Sequence, residues 1–276
     1  YAPPSGFLAL CTANLPEPAI GPNSDTQADD HFNTLIYSGN NDATRTFDVG
    51  FVSDWSWFKA RNQAGYGHQL YDSSRGATKK LVSNTINAES TNAEGVTSFD
   101  SSGNLAIGTD AFLNEDGTTM VIWNWKANGG TTSSNSDGSI TSTVQANTDA
   151  GFNIVTWSGN ETNSATIGHG LSSAPKIIIT KCRSHATSWI FGIGQITGTV
   201  NDYLTLNTTS AKANSSTFYQ SYTSDSNTTF TVGVSGADEM NRNTGGTART
   251  YVSYCFAEIE GYSKFGSYTG NNSADG

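Results

Sequence analysis

A nine-residue stretch occurs twice in this chain. Phe32-Asn-Thr-Leu-Ile-Tyr-Ser-Gly-Asn40 reads against Phe152-Asn-Ile-Val-Thr-Trp-Ser-Gly-Asn160, an offset of 120 residues (152 − 32). Further matches follow in the same order. Lys59-Ala-Arg61 pairs with Lys181-Cys-Arg183, and Leu81-Val-Ser-Asn84-Thr85 with Leu204-Thr-Leu-Asn207-Thr208. Leu105–Gly108 pairs with Phe230–Gly233, and Thr119–Trp125 with Thr250–Phe256. The offset grows steadily to 131 (250 − 119), the pattern left by small loop insertions in a second copy. A repeat of this length requires one fold used twice. The reading is repeat one over 31–148, repeat two over 149–260, and the start of a third over 261–276. There Gly261-Tyr-Ser-Lys-Phe-Gly-Ser-Tyr268-Thr-Gly-Asn271 echoes the opening of repeat two. The third copy ends before a unit can form, so a truncation, or pairing with another unit, is expected. Residues 1–30 fit no repeat and hold Pro3, Pro4, Pro16, Pro18 and Pro22, which suits an extended connector from a preceding domain.

Within each repeat the pattern is that of strands. Val121, Trp123 and Trp125 alternate with Ile122, Asn124 and Lys126, and Val252, Tyr254 and Phe256 repeat the alternation. Period two over such a length predicts a half-buried strand with its large apolar side inward. Trp55-Ser-Trp57 and Ile177-Ile-Ile179 are short apolar runs. Turn signals at Ser38–Asn41, Ser101–Gly103, Glu115–Gly117, Ser136–Gly138 and Thr244–Gly246 separate the runs. No segment keeps a helical period. The expectation is all-β: two tandem antiparallel β-sandwich repeats.

Charged residues make up only 14% of the chain, so Ser, Thr, Asn and Gly supply its polarity. The 13 Phe, 11 Tyr and 6 Trp carry enough apolar area to offset ordering entropy, which argues against disorder. The net charge is −10 and no basic cluster exceeds Lys79-Lys80, so nucleic acid is excluded as an expected partner. No apolar run approaches a membrane span, and Phe7–Leu10 lacks the basic lead of a signal peptide. Cys11, Cys182 and Cys255 are too far apart for a zinc motif and read as buried free thiols.

No catalytic or metal-binding constellation emerges. His31, His68, His169 and His185 stand outside any triad or metal motif, and no GxSxG elbow occurs. His68, near Tyr66 and Asp72, is the one histidine to which a general-base role can be attached, and a packing role fits it better. Asp72-Ser-Ser-Arg75-Gly76 reads as a turn held by an Asp–Arg pair, with a ligand-contacting loop as the alternative. Glu115-Asp116 and Asp100 sit in turns without the spaced ligands of a calcium loop. Calcium remains the one candidate ion, with no residues assigned to it. The sequons at Asn160, Asn207, Asn214, Asn227 and Asn271 matter only in a eukaryotic secretory context. Any exposed Trp or Tyr is a candidate for stacking on sugar rings, though most aromatics are expected in the core.

Leu70-Tyr-Asp-Ser-Ser-Arg-Gly-Ala-Thr-Lys79, Ser98-Phe-Asp-Ser-Ser-Gly103 and the long stretch Tyr251–Asn271 carry a resemblance. Together with Phe47–Arg61 and Ser98–Trp125, they resemble tail-fibre-like virion proteins of marine bacteriophages, the cyanophages and pelagiphages. Ser5–Pro18 is similar to the closing segment of a SPRY-like sandwich that precedes such repeats, which implies a slice of a longer fibre. The resemblance implies concanavalin-like jelly-roll units, a virion location on the extracellular surface, and a homo-oligomer, with a trimer as first expectation. It transfers no catalytic residue. Trp55-Ser-Trp57 departs from the aliphatic pair usual there, and repeat two lacks the Asp-Ser-x-Arg-Gly motif. The expected function is a non-enzymatic virion structural or tail-fibre module for host-surface attachment. Its expected partners are other virion proteins and a host surface glycan or receptor. The alternatives are a polysaccharide depolymerase, which needs a carboxylate pair roughly 5–10 Å apart, and a purely structural spacer.

Overall fold

Alternating apolar and hydroxyl side chains, broken every few residues by Gly, Asn and Asp, give this chain antiparallel strands and little helix. The computed structural model describes residues 20–21, 24–221, 228–271 and 273. Cys11, the five N-terminal prolines and the Asn227 sequon lie outside the described residues. The first half contributes β1 (Phe32–Ser38), β2 (Arg45–Asp48), β3 (Trp55–Ala60), β4 (Gln69–Asp72), β5 (Lys79–Val82), β6 (Ser90–Thr91), β7 (Val96–Phe99), β8 (Asn104–Ile107) and β9 (Thr119–Trp125). The second contributes β10 (Ser133–Asn135), β11 (Ser142–Asn147), β12 (Phe152–Ser158), β13 (Ala165–Gly168), β14 (Ile177–Cys182), β15 (Ile190–Gly192) and β16 (Asp202–Thr205). It continues with β17 (Ala213–Asn214), β18 (Tyr219–Ser221), β19 (Thr229–Val232), a small hairpin of β20 (Asn243–Thr244) and β21 (Thr247–Ala248), and β22 (Thr250–Phe256).

Strand order is the same in the two halves. The large sheet of the first half runs β1-β9-β3-β4-β5-β6 and its small sheet β2-β8-β7. The second half has β12-β22-β14-β15-β16-β17 and β13-β19-β18, with β11 and β10 added beyond β12. Register agrees as well. Phe32 lies opposite Trp125 and Ser38 opposite Thr119, while Phe152 lies opposite Phe256 and Ser158 opposite Thr250.

Each small sheet packs on the inner face of its own large sheet. Phe58, Met120 and Ile122 meet Val96, Leu105 and Ile107 in the first half. Trp157, Ile178 and Tyr251 meet Ile167, Phe230 and Val232 in the second. A third core joins the outer faces of the two large sheets, where Trp55, Leu70 and Leu81 meet Ile154, Ile179, Trp189 and Tyr254. Four layers result, and the central two sheets are covered on both sides.

This layering corrects the half-buried reading of β9 and β22. Met120, Ile122 and Asn124 are the fully buried side of β9, and Trp123 and Trp125 lie on the partly buried outer side. In β22 every residue from Tyr251 to Cys255 is buried. A strand covered on two faces loses its polar side to the interior, so its buried polar groups must pair. Ser56 donates to Asn124 Oδ1 at 2.8 Å, and the Thr180 and Ser253 hydroxyls lie 2.7 Å apart. The segment from 261 to 271 forms no strand; its one bridge joins Ser263 to Ile259.

Candidate functional site

The seam between the halves is fixed by aromatic stacking and by buried charge. Trp55 stacks on Tyr254 with ring centroids 4.2 Å apart and planes at 14°, and on Phe152 at 5.7 Å and 13°. The Tyr254 hydroxyl donates to Asp72 Oδ2 at 2.6 Å. Arg75 donates to the same carboxylate through its backbone N–H, at 2.8 Å, and through Nε. Its Nη1 donates to Glu89 at 3.0 Å, and Arg183 of the second half grips Glu89 with two bonds of 2.9 Å. Burial opposes the charge on Glu89, but Arg183 and Arg75 outweigh it and hold the carboxyl below its ordinary value. A separate bond crosses the seam from Lys181 Nζ to the Ile86 carbonyl at 3.2 Å. Burial lowers that ammonium to a pKa of about 8.

At one end of the seam, equivalent positions of the two halves meet and leave a cleft. Phe32 and Trp125 are cross-strand neighbours in the first half, with centroids 5.0 Å apart. Phe152 and Phe256 hold the same places in the second half, also 5.0 Å apart. Trp125 faces Phe152 at 6.4 Å and Phe256 at 6.3 Å. The turn after β22 closes one side. It is tied by Lys264 to Glu258 at 3.0 Å and by the Phe265 N–H to Glu258 at 3.1 Å, which sets Tyr262 and Phe265 on the rim. Gly151 makes this closure possible: at φ +65° it accepts the Ala257 N–H at 2.7 Å, and a Cβ there would sit 2.7 Å from the Ala257 oxygen. The cavity is about 330 Å³, and its Trp125, Phe32, Phe256, Tyr262 and Phe265 walls are half-buried.

A polar cleft of about 240 Å³, walled by His31, Lys126, Asn128, Asn147 and Asp149 among others, adjoins this one. Tyr262 links the two, its ring 6.0 Å from that of His31. Asn147 Oδ1 accepts from the Ala150 N–H at 3.0 Å, and its Nδ2 donates to the Lys126 carbonyl at 3.1 Å. Those bonds fix the amide, so the same Nδ2 donates to His31 Nδ1 at 2.9 Å. Burial lowers the His31 pKa, aided by Lys126 and opposed by Asp30 and Asp149. The neutral ring then carries its proton on Nε2. That N–H is buried and has no hydrogen-bond partner among the described residues.

The residues singled out by motif are elsewhere. Asp72 and Arg75 have fully buried side chains and hold a turn at the seam. His68 Nδ1 accepts from Trp57 Nε1 at 2.7 Å, which leaves the ring packed against an indole. His169 Nδ1 accepts the Leu171 N–H at 3.1 Å in the second core, and His185 lies beside Ser184. Glu115 accepts from Tyr66 and Thr118, and Asp100 from Ser102. No three His, Cys, Asp or Glu side chains converge among the described residues. Cys182 and Cys255 are free and buried. No helix among the described residues is long and apolar enough to cross a membrane. The cleft aromatics were visible in sequence only as matched repeat positions, Phe32 with Phe152 and Trp125 with Phe256, and pattern alone assigned them to core.

No curated protein and no solved structure matches the chain. A family model described as a domain of unknown function, DUF7483, matches residues 27–276. The repeats, the seam and the cleft all fall inside that span, and the chain belongs to the DUF7483 family.

Proposed function

We propose that this chain is a non-enzymatic module of a phage tail-fibre-like virion structure, built from two tandem jelly-roll sandwiches and serving host-surface attachment through glycan recognition. The seam between the halves carries the reading. Two modules joined by a loose linker would leave their outer faces wet. Here those faces share a core, with Trp55 seated on Tyr254 and Glu89 gripped by arginines from both halves. Such a joint resists bending, as a segment of an extended fibre must. The low charge content and the many hydroxyl and amide groups suit an extracellular surface. The aromatic cleft supplies an attachment surface at one end of the joint. Assembly with further copies, a trimer first, belongs to the same proposal.

The test is immunogold electron microscopy on particles of a phage encoding this chain, with antibody raised against the purified protein. Label on the tail fibres is the expected result. Particles that carry no label, while infected-cell lysate contains the chain, would overturn the virion assignment. Light scattering on the full-length protein tests assembly, and a monomeric mass at micromolar concentration would remove the trimer.

A further inference from the structure

The aromatic cleft and the polar cleft have complementary chemistry and linings of neighbouring residues: Phe32, Trp125 and Ala150 line the first, and His31, Lys126 and Asp149 the second. The first offers flat apolar faces on Trp125, Phe32 and Phe256. The second is lined by His31, whose buried Nε2–H has no hydrogen-bond partner among the described residues. A buried N–H without a partner costs roughly 1–3 kcal/mol, and such groups are few in folded proteins. A ligand that accepts from it removes that cost. Lys126 and Asn128 add donors beside it, and Asp149 adds an acceptor. Small-ligand sites have this make-up: apolar and aromatic walls, a few placed polar groups, and a volume of roughly 300–1,000 Å³. The site is also composite, since Phe32 and Trp125 come from one half and Phe152 and Phe256 from the other.

We propose that this junction is a carbohydrate site for a neutral pyranose, which lays its C–H face on Trp125 and turns an oxygen-bearing edge toward His31. The inference rests on the glycan-recognition reading above and names the place and the sugar class. A pyranose has what both clefts require: an apolar face of axial C–H bonds and a rim of hydroxyl or acetamido oxygens. A purely apolar ligand would leave the His31 donor unmet. An acidic sugar is disfavoured because Asp30 and Asp149 flank His31 and the chain carries a net charge of −10.

The test uses an array of neutral, N-acetylated and uronic-acid oligosaccharides, followed by tryptophan-fluorescence titration with the strongest binder. Wild-type protein is expected to bind neutral or N-acetylated sugars and to change its emission on binding. Trp125→Ala and His31→Gln are expected to weaken binding at least about tenfold. Trp125 also packs on Trp55, so Phe265→Ala on the rim serves as the variant expected to keep its melting temperature while losing affinity. Ile36→Ser, at an exposed side chain of β1 outside the lining of both clefts, is the control expected to bind normally. Sugar binding that survives in the His31 and Phe265 variants overturns this site and leaves glycan recognition standing. Binding confined to uronic acids overturns the sugar class alone. Absence of binding across the whole array overturns the site together with the glycan-recognition reading.

Discussion

Trp55 and Tyr254, 199 positions apart (254 − 55), stack at 4.2 Å, while the Tyr254 hydroxyl donates to Asp72, the cross-strand neighbour of Trp55. One tyrosine thus reads both the aromatic and the ionic part of the seam. Trp55→Ala empties a fully buried site and is expected to cost about 3–5 kcal/mol. Tyr254→Phe keeps the ring and removes one donor to a buried carboxylate, so about 1–3 kcal/mol is expected. Urea denaturation of both variants checks the order. Equal losses would mean that the hydroxyl bond weighs as much as the stack.

The Asp72–Arg75–Glu89–Arg183 chain of charges is expected to be strongly coupled. Arg75→Met leaves the Asp72 carboxylate buried beside only the Tyr254 hydroxyl and one backbone N–H, which is expected to cost about 3–5 kcal/mol. Removing Asp72 as well, in Asp72→Asn with Arg75→Met, should recover part of that loss. A double-mutant cycle measures it, and additive losses would show that the pair does not interact.

Asp54 anchors the stretch that follows β9. Its carboxylate accepts from the N–H groups of Ala127, Gly129 and Gly130 at 2.7, 2.9 and 2.7 Å, and from Ser73 at 2.7 Å. Burial pushes this carboxyl above its ordinary pKa against the pull of those four donors. Asp54→Ala is expected to raise amide exchange at 127, 129 and 130 at least about tenfold while the strands of the first core stay protected. Unchanged exchange there would mean that other contacts hold the turn.

Stability is expected to fall in mild acid because of His169. Burial lowers its pKa from 6.5 to about 4, and its Nε2 has no partner among the described residues. The unfolded chain takes up the proton first. The contribution is therefore complete above pH 6.5 and disappears as pH falls from 6.5 towards 4, a loss of roughly 3 kcal/mol. Comparing unfolding free energies at pH 7 and pH 4 isolates it: His169→Gln should lose less than wild type over that interval. Parallel losses would place the acid sensitivity on other groups.

The strand alternation, the turn residues and the ordered repeat matches are local properties, and they were legible. Matched stretches such as Phe32–Asn40 and Phe152–Asn160 became strands of the same rank and register because strand pairing follows side-chain period and turn position. The Asp72–Arg75 turn was legible for the same reason, since its partners are three residues apart. Which side of a strand faces its small sheet was not legible. Period two separates two faces without saying what covers each. In β9 both Ile122 and Trp123 are large and apolar, and the choice was made by the small sheet, whose Val96, Leu105 and Ile107 cover the Ile122 side. The sequence by itself determined an all-β chain with two copies of one pattern. Only the tertiary structure decided that the copies stand back to back, that Tyr254 reaches Asp72, and that Phe32, Trp125, Phe152 and Phe256 surround one cleft. Those outcomes depend on burying two outer apolar faces against each other, an energy that no single segment carries.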